Sequence, residues 1–295
     1  MTTLIDRIDT LLTALPIEDE DDLLAVLEKS NTNNFDKEKL EKDFYLTILL
    51  HRISRDIPEI TFKGGTCLNK VYYPYFRLSE DLDFSISIED PLVNAHGKRQ
   101  KFAYHMRDHI KKICKIMNRT LDDDEHHHKK AQGNKLLKTK DYTYLKYIIT
   151  YPSIYSQKQQ TIKIDITYTS KQYLPKENIH AIFIDPILED PIFDQTSITC
   201  LSLQEMMAEK MRAALTRQTP AIRDFFDIRY VKNQFDFTSI QELIEYKIAE
   251  SEYTIDDYYD ALRIQIETDL EPVLGQKYPD FDFDQIYKFV LSFKN

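Results

Sequence analysis

Two aspartates, Asp81 and Asp83, stand two positions apart at the head of an alternating stretch, DLDFSISI (81–88), in which Leu82, Phe84, Ile86 and Ile88 hold the other phase. Alternation with that period marks a half-buried strand. Both carboxylates then project from one polar face, about 7 Å apart along the chain. Aspartate is depleted in strands and like charges on one face repel, so something should compensate the pair. Asp165 has the same setting in TIKIDITY (161–168), where Thr161, Lys163, Asp165 and Thr167 alternate with apolar residues. If the two strands are neighbours, the three acids form an oxygen-only patch suited to Mg2+ or Mn2+. These hard cations bind through one or two carboxylates plus substrate phosphates. Such an ion holds a triphosphate, polarises its α-phosphorus and helps to activate a hydroxyl nucleophile. A sheet with one wet face also tolerates aspartate, and for Asp165 alone the two readings are evenly matched. Asp-x-Asp at a strand head, close after Gly-Gly-Thr, favours chemistry.

The remaining candidates flank these acids. Gly64-Gly65-Thr66 follows a short expected strand (EITFK, 59–63) and holds the only adjacent glycine pair in a chain with 5 glycines. Bare backbone N–H groups there can hold an anion, with the Thr66 hydroxyl as an added donor, although a lone Gly-Gly often makes only a turn. Lys210 falls on the apolar face of a helix from Ser202, with Leu203, Met206, Met207, Met211 and Ala214. An ammonium in that place is either snorkelling at the edge of the stripe or held by an acid or a phosphate. In Arg223-Asp224-Phe225-Phe226-Asp227 the two acids share a helical face, and Asp227 is also spaced to pair with Arg223 as surface decoration.

These groups must be positioned by 295 residues, which suits one large domain or a core with helical additions. The chain is 42% hydrophobic and 30% charged, enough for a substantial core. Periodicity predicts a helical segment (1–57), a mixed-sheet core (58–198) and a helical C-terminal part (199–295) that completes the site. Leu4, Ile8, Leu11, Leu12 and Leu15 have helical spacing, and so, after Pro16 and an acidic run, do Leu40, Phe44 and Ile48. Strands are expected at 59–63, 81–88, 142–151, 161–168 and 181–184, with helices over 66–73 and 98–119. DDDEHHHKK (122–130) reads as a polar surface loop rather than a metal site, because consecutive side chains do not converge on one ion. Ser202-Leu203-Gln204-Glu205 is a capping box, and Pro220 is expected at the first position of a further helix.

Composition narrows the function. So little glycine argues against a Gly-rich dinucleotide fold, and no apolar run reaches the length of a membrane span. The acidic N-terminus lacks the basic region of a signal peptide. Cys67, Cys114 and Cys200, few and far apart, suit a reducing cytoplasm without disulfides. The net charge of −10 argues against a general nucleic-acid binder. Residues 98–146 carry 14 Lys and Arg against 6 Asp and Glu, so that segment is +8 and the rest −18. A solvated helix face is the simpler account, and a local RNA contact is the other.

Three stretches, FKGGTCLNKVYYPYFRLSEDLDFSI, LSLQEMMAEKMRAALTR and IRDFFDI, resemble in order and spacing the motifs of the AbiEii/AbiGii nucleotidyltransferase toxins, over roughly residues 60–230. The resemblance implies an α/β (α+β) fold with a minimal polymerase-β-like nucleotidyltransferase core and helical flanks. It implies NTP as substrate, Mg2+ or Mn2+ as cofactor, and a tRNA 3′ end or other RNA as acceptor. It also implies a role as toxin in a type IV toxin–antitoxin or abortive-infection system, with a cognate antitoxin. Carried over, Asp81, Asp83 and Asp165 hold the metal. Lys63, Gly64, Gly65, Thr66, Lys210 and Arg223 meet the nucleotide, and Asp224 joins the catalytic set. Asp165 rests on the strand reading as much as on the motif, and Cys67 stands where a small apolar residue is common. Two alternatives are a protein or small-molecule hydroxyl as acceptor and an inactive binding module; the intact acid set argues against the second.

Overall fold

A computed structural model of the chain describes residues 20–116, 120–121, 144–169, 175–249, 258–274 and 281–294. The expected helix around Leu4–Leu15 and the acidic histidine loop 122–130 lie outside the described residues. The first described helix, α1 (Glu20–Ser30), is built from the acidic run that the sequence reading left between helices. Glu20, Asp21 and Asp22 fall in its first turn, where acids favour the helix dipole. Helix α2 (Lys37–Asp56) is capped by Asp36, whose side chain accepts from the Lys39 N–H, and it is buried from Leu40 to Ser54.

Five strands form one mixed sheet in the order β1-β2-β5-β4-β3. They are β1 (Thr61–Lys63), β2 (Asp81–Ser87), β3 (Thr120–Leu121), β4 (Tyr144–Pro152) and β5 (Gln159–Thr169). β1 and β2 run antiparallel, β2 and β5 parallel, and β4 pairs antiparallel with β5 and β3. The parallel pair needs a long crossover. The chain supplies it with α3 (His96–Ile116), β3 and β4 between β2 and β5. Leu82, Phe84 and Ile86, Ile162, Ile164 and Ile166, and Leu145 and Ile149 are all buried on one side of the sheet. α3 covers that same side: the Tyr147 hydroxyl donates to the Ala103 carbonyl, and Arg99 lies over the Tyr168 ring. The basic helix therefore sits on the face opposite Asp81, Asp83 and Asp165. The stretch 181–184 forms only an isolated bridge, Ile184 with Pro191. A small second sheet pairs β6 (Lys176–Asn178) with β7 (Ser197–Thr199).

Beyond β7 the described residues are mainly helical: α4 (Leu203–Thr216), α5 (Ile222–Val231), α6 (Gln241–Ala249), α7 (Tyr259–Gln265) and α8 (Phe283–Leu291) are the longer elements. The Leu201 N–H donates to the Phe62 carbonyl, which ties the start of α4 to β1. Ser202 caps α4 as expected, accepting from the Glu205 N–H, but the Glu205 carboxylate pairs with Lys247 instead of closing a reciprocal box. α5 begins at Ile222, not at Pro220. Its first N–H is capped by the Gln265 side chain, which also donates to the Pro220 carbonyl. Phe76 stacks on Phe226, and Phe225 on Tyr287, so the aromatic-rich tail packs against the loop that leads into β2. Among the described residues no helix is long and apolar enough to cross a membrane.

Candidate active site

The sheet register sets the first row of the site. Lys63 on β1 lies opposite Asp83 on β2, Asp83 opposite Asp165 on β5, and Asp165 opposite Lys146 on β4. Two acids are thus flanked by two cations along one line across the sheet. One position away along β2, Asp81 faces Lys163. The acids expected to share a patch do lie on adjacent strands and on one face.

Gly64 follows Lys63 directly and has φ of +78°, a conformation only glycine adopts without strain. A Cβ there would collide with Asp83, coming to 2.9 Å from its carboxyl carbon. At Gly65 a Cβ would come to 2.7 Å from Arg77 Nη2. The two glycines are therefore what lets the bend press against Asp83 on one side and Arg77 on the other. A helical turn starts at Gly64 and passes into a π-turn at Leu68–Tyr72. Thr66 is buried and its hydroxyl donates to the Asp81 carbonyl, which fastens this turn to β2. The Thr66 hydroxyl expected to meet phosphate is engaged there.

The bend opens into a cleft of about 150 Å³. The core contributes Lys63, Gly64, Gly65 and Asp83 to its lining. The helices contribute Glu209, Lys210, Arg212, Arg217 and Asp224. Lys210 and Asp224 thus join the diglycine bend, although they are about 150 residues away in sequence (compare 64 with 210 and 224). Lys210 is not a snorkelling lysine. Its Nζ lies 2.9 Å from Asp224 Oδ1 and 2.7 Å from Asp227 Oδ2. Burial works against its charge, but the two acids outweigh burial and raise its pKa. Arg217 Nη1 approaches the other Asp224 oxygen at 3.0 Å.

Asp227 is fully buried, not surface decoration. Arg77 grips it with two hydrogen bonds, Nε to Oδ1 at 2.6 Å and Nη2 to Oδ2 at 2.8 Å. Burial raises the Asp227 pKa, and Arg77 and Lys210 outweigh that and lower it. Arg223 does not pair with Asp227 and does not line the cleft. It reaches Glu80 at 3.5 Å, on the Asp81 side. Glu80 also binds Lys39 and Lys42, and although burial opposes it, these cations hold its pKa down at about 2. A larger open cavity of about 880 Å³, between Ser202 and Gln204 and the segment Thr238–Glu245, contains none of the candidate residues.

The acid face bears on whether a divalent cation fits. Burial pushes the Asp83 pKa up to about 6, opposed by Lys63, and burial raises Asp81 as well. The charges of Lys63 and Lys210 act on Asp83, and those of Lys163 and Arg223 on Asp81, without overcoming burial. Two desolvated carboxylates on one strand face are a donor set suited to a hard cation. Asp165 is engaged otherwise: Tyr144 donates to its Oδ1 at 2.7 Å and Lys146 Nζ lies 3.5 Å from the same atom. No three acid, histidine or cysteine side chains among the described residues are gathered for metal binding by protein ligands alone. The donor set fits a divalent cation that Asp81 and Asp83 would hold.

Sequence reasoning missed Arg77, Arg212, Arg217, Glu209 and Tyr144. Arg217 was within reach, since it lies seven residues after Lys210 and hence on the same helical face. Arg77 sits in an irregular segment between two elements, where no periodicity marks it.

A nucleotidyl transferase family model, described as the AbiEii toxin of type IV toxin–antitoxin systems, matches residues 47–288. No curated protein matches the chain in sequence. Among solved structures, JHP933 from Helicobacter pylori is similar at a TM-score of 0.49 and 14% identity, covering 88% of this chain and 91% of that one. MenT4, a nucleotidyltransferase toxin from Mycobacterium tuberculosis, is similar at a TM-score of 0.48 and 14% identity, covering 91% and 92%.

Proposed function

The chain belongs to the AbiEii nucleotidyl transferase toxin family of type IV toxin–antitoxin systems, and from that premise we propose that it moves a nucleoside monophosphate from an NTP to the 3′ end of a tRNA, with a divalent metal. It would do so in the cytoplasm as the toxin partner of a cognate antitoxin, in the setting of abortive infection. The observation that carries this reading is the convergence of Lys63, Gly64, Gly65 and Asp83 with Lys210 and Asp224 in one cleft.

In this reading the backbone N–H groups of the diglycine bend and the charged Lys210 receive the triphosphate. Asp224 and Asp227 hold the Lys210 ammonium in place before the nucleotide arrives, so little reorganisation is needed. Arg217, at the mouth of the cleft, neutralises the departing pyrophosphate. Asp81 and Asp83 would hold Mg2+ or Mn2+, which when bound neutralises the phosphates and polarises the α-phosphorus. Asp165 takes the proton of the attacking hydroxyl. Lys163 and Lys146 on the same face are better placed for an RNA backbone than the basic helix α3, which lies behind the sheet.

The test is incubation with each labelled NTP, Mg2+ and total tRNA. Transfer to tRNA is expected with wild-type protein and its loss with Asp81→Ala or Asp83→Ala of unchanged circular dichroism. Full labelling by either variant would remove the metal assignment, and labelled protein or small molecules without labelled RNA would replace the acceptor.

A further inference from the structure

We propose that Tyr144 is itself an acceptor, so that the protein nucleotidylates its own chain at this phenol; the inference rests on the nucleotidyltransferase reading above. Tyr144 opens β4 on the acid face, where Lys146 follows it in register with Asp165, which in turn lies opposite Asp83. Neighbouring strands are about 4.8 Å apart, so Tyr144 stands at the border of the Asp81–Asp83 patch. Its hydroxyl donates to Asp165 Oδ1 at 2.7 Å. The proton of a nucleophilic hydroxyl thus already points at the carboxylate oxygen that would take it.

Other hydroxyls on this face are differently placed. Thr66 donates to the Asp81 carbonyl, and Thr167 accepts from Lys63 and donates to the Phe84 carbonyl. Ser85 is buried. Among the described residues of this face, Tyr144 alone presents its proton to a carboxylate. The pair is not closed off, since the Asp165 side chain keeps 19% of its exposure and Tyr144 is half-buried. Lys146 Nζ lies 3.5 Å from the same Oδ1, beside the reacting groups.

The step balances without a further reagent. The phenolic oxygen forms a bond to the α-phosphorus of the NTP, and the bond from that phosphorus to the bridging oxygen breaks. Pyrophosphate leaves with the electron pair, and the phenolic proton passes to Asp165 Oδ1 and then to water. The product is a tyrosyl nucleoside monophosphate diester. It places a nucleotide over the acid face and competes there with the RNA acceptor.

The experiment uses the full chain with each labelled NTP and Mg2+, with and without tRNA, followed by a denaturing gel and peptide mapping by tandem mass spectrometry. The expected result is one added nucleotidyl group mapped to Tyr144. It disappears in Tyr144→Phe and persists in Tyr147→Phe, whose hydroxyl serves α3 on the other face. Asp165→Asn is expected to slow self-labelling about 100-fold, the usual range for loss of a general base. Labelled RNA with unlabelled protein would overturn this proposal and leave the function standing, as would a label mapped to another side chain. No label on protein or RNA with any NTP would overturn both.

Discussion

Arg77 and Asp227, 150 residues apart in the chain, form a fully buried two-point ion pair that joins the loop before β2 to helix α5. The same guanidinium backs Gly65, and the same carboxylate holds Lys210. One ion pair therefore sets the distance between the diglycine bend and the lysine opposite it. Removing Asp227 leaves the buried Arg77 guanidinium without a carboxylate, and removing Arg77 leaves Asp227 with Lys210 alone; breaking a buried pair in this way costs about 3–5 kcal/mol. Arg77→Met and Asp227→Leu should each lower the urea midpoint accordingly, while the double variant should be less destabilised than the sum of the two. Single variants within about 0.5 kcal/mol of wild type, the usual range for a neutral surface site, would show that the pair does not couple the two parts.

Gly64 and Gly97 make a matched test of backbone against space. Gly64 has positive φ and no room for a Cβ beside Asp83, whereas a Cβ on Gly97, in the first turn of α3, would meet nothing within 4 Å. Gly64→Ala is expected to cost about 1–3 kcal/mol of strain. It should also slow transfer about 100-fold, because displacement of the bend by about 1 Å misplaces the phosphates. Gly97→Ala should be stabilising by about 0.4–1 kcal/mol with activity unchanged. Thermal melts and initial rates on the two proteins decide the point.

The acid face and the diglycine bend were legible because each left a local mark: period-two alternation around Asp81, Asp83 and Asp165, and a glycine pair in a glycine-poor chain. Lys210 was legible as an anomaly, a cation on an apolar stripe, but its partners were not. Periodicity reports which face a residue occupies, not what a distant helix brings to it. Hence Asp227 could be assigned to a surface pair with Arg223 when its true partners are Arg77 and Lys210. The basic segment was legible as charge, yet its side of the sheet follows from the crossover connection, which no local pattern encodes.

His51 gives the fold a dependence on acid. It is buried on α2, its Nδ1 2.8 Å from Thr196 Oγ1. Burial, with help from the charges of Lys70 and Arg55, lowers its pKa from 6.5 to about 4. The unfolded chain therefore binds a proton that the folded chain refuses between pH 6.5 and about 4. The stability from this group is complete above pH 6.5 and declines as pH falls towards 4, by about 3 kcal/mol in total. His51→Gln, which can keep the bond to Thr196, should flatten the fall in denaturant midpoint between pH 7 and pH 4.5. An unchanged slope would assign the acid sensitivity to other groups.

Asp83 carries the opposite sign and ties stability to function. Its pKa is raised from 3.8 to about 6 by burial, so its contribution to stability is present below 3.8 and lost as pH rises through about 6. At neutral pH the charged form costs the metal-free fold up to about 3 kcal/mol. Asp83→Asn keeps the shape and removes the charge. Without metal it should therefore be more stable than wild type by about 1–3 kcal/mol, while nucleotide transfer is lost. A cation bound at Asp81 and Asp83 relieves the same cost, so adding Mg2+ or Mn2+ should raise the wild-type melting temperature and leave that of Asp83→Asn where it was. Measured across a metal titration, equal shifts in the two proteins would mean that the ion binds elsewhere. A destabilised Asn variant would mean that the attraction of Lys63 for Asp83 outweighs the cost of its burial.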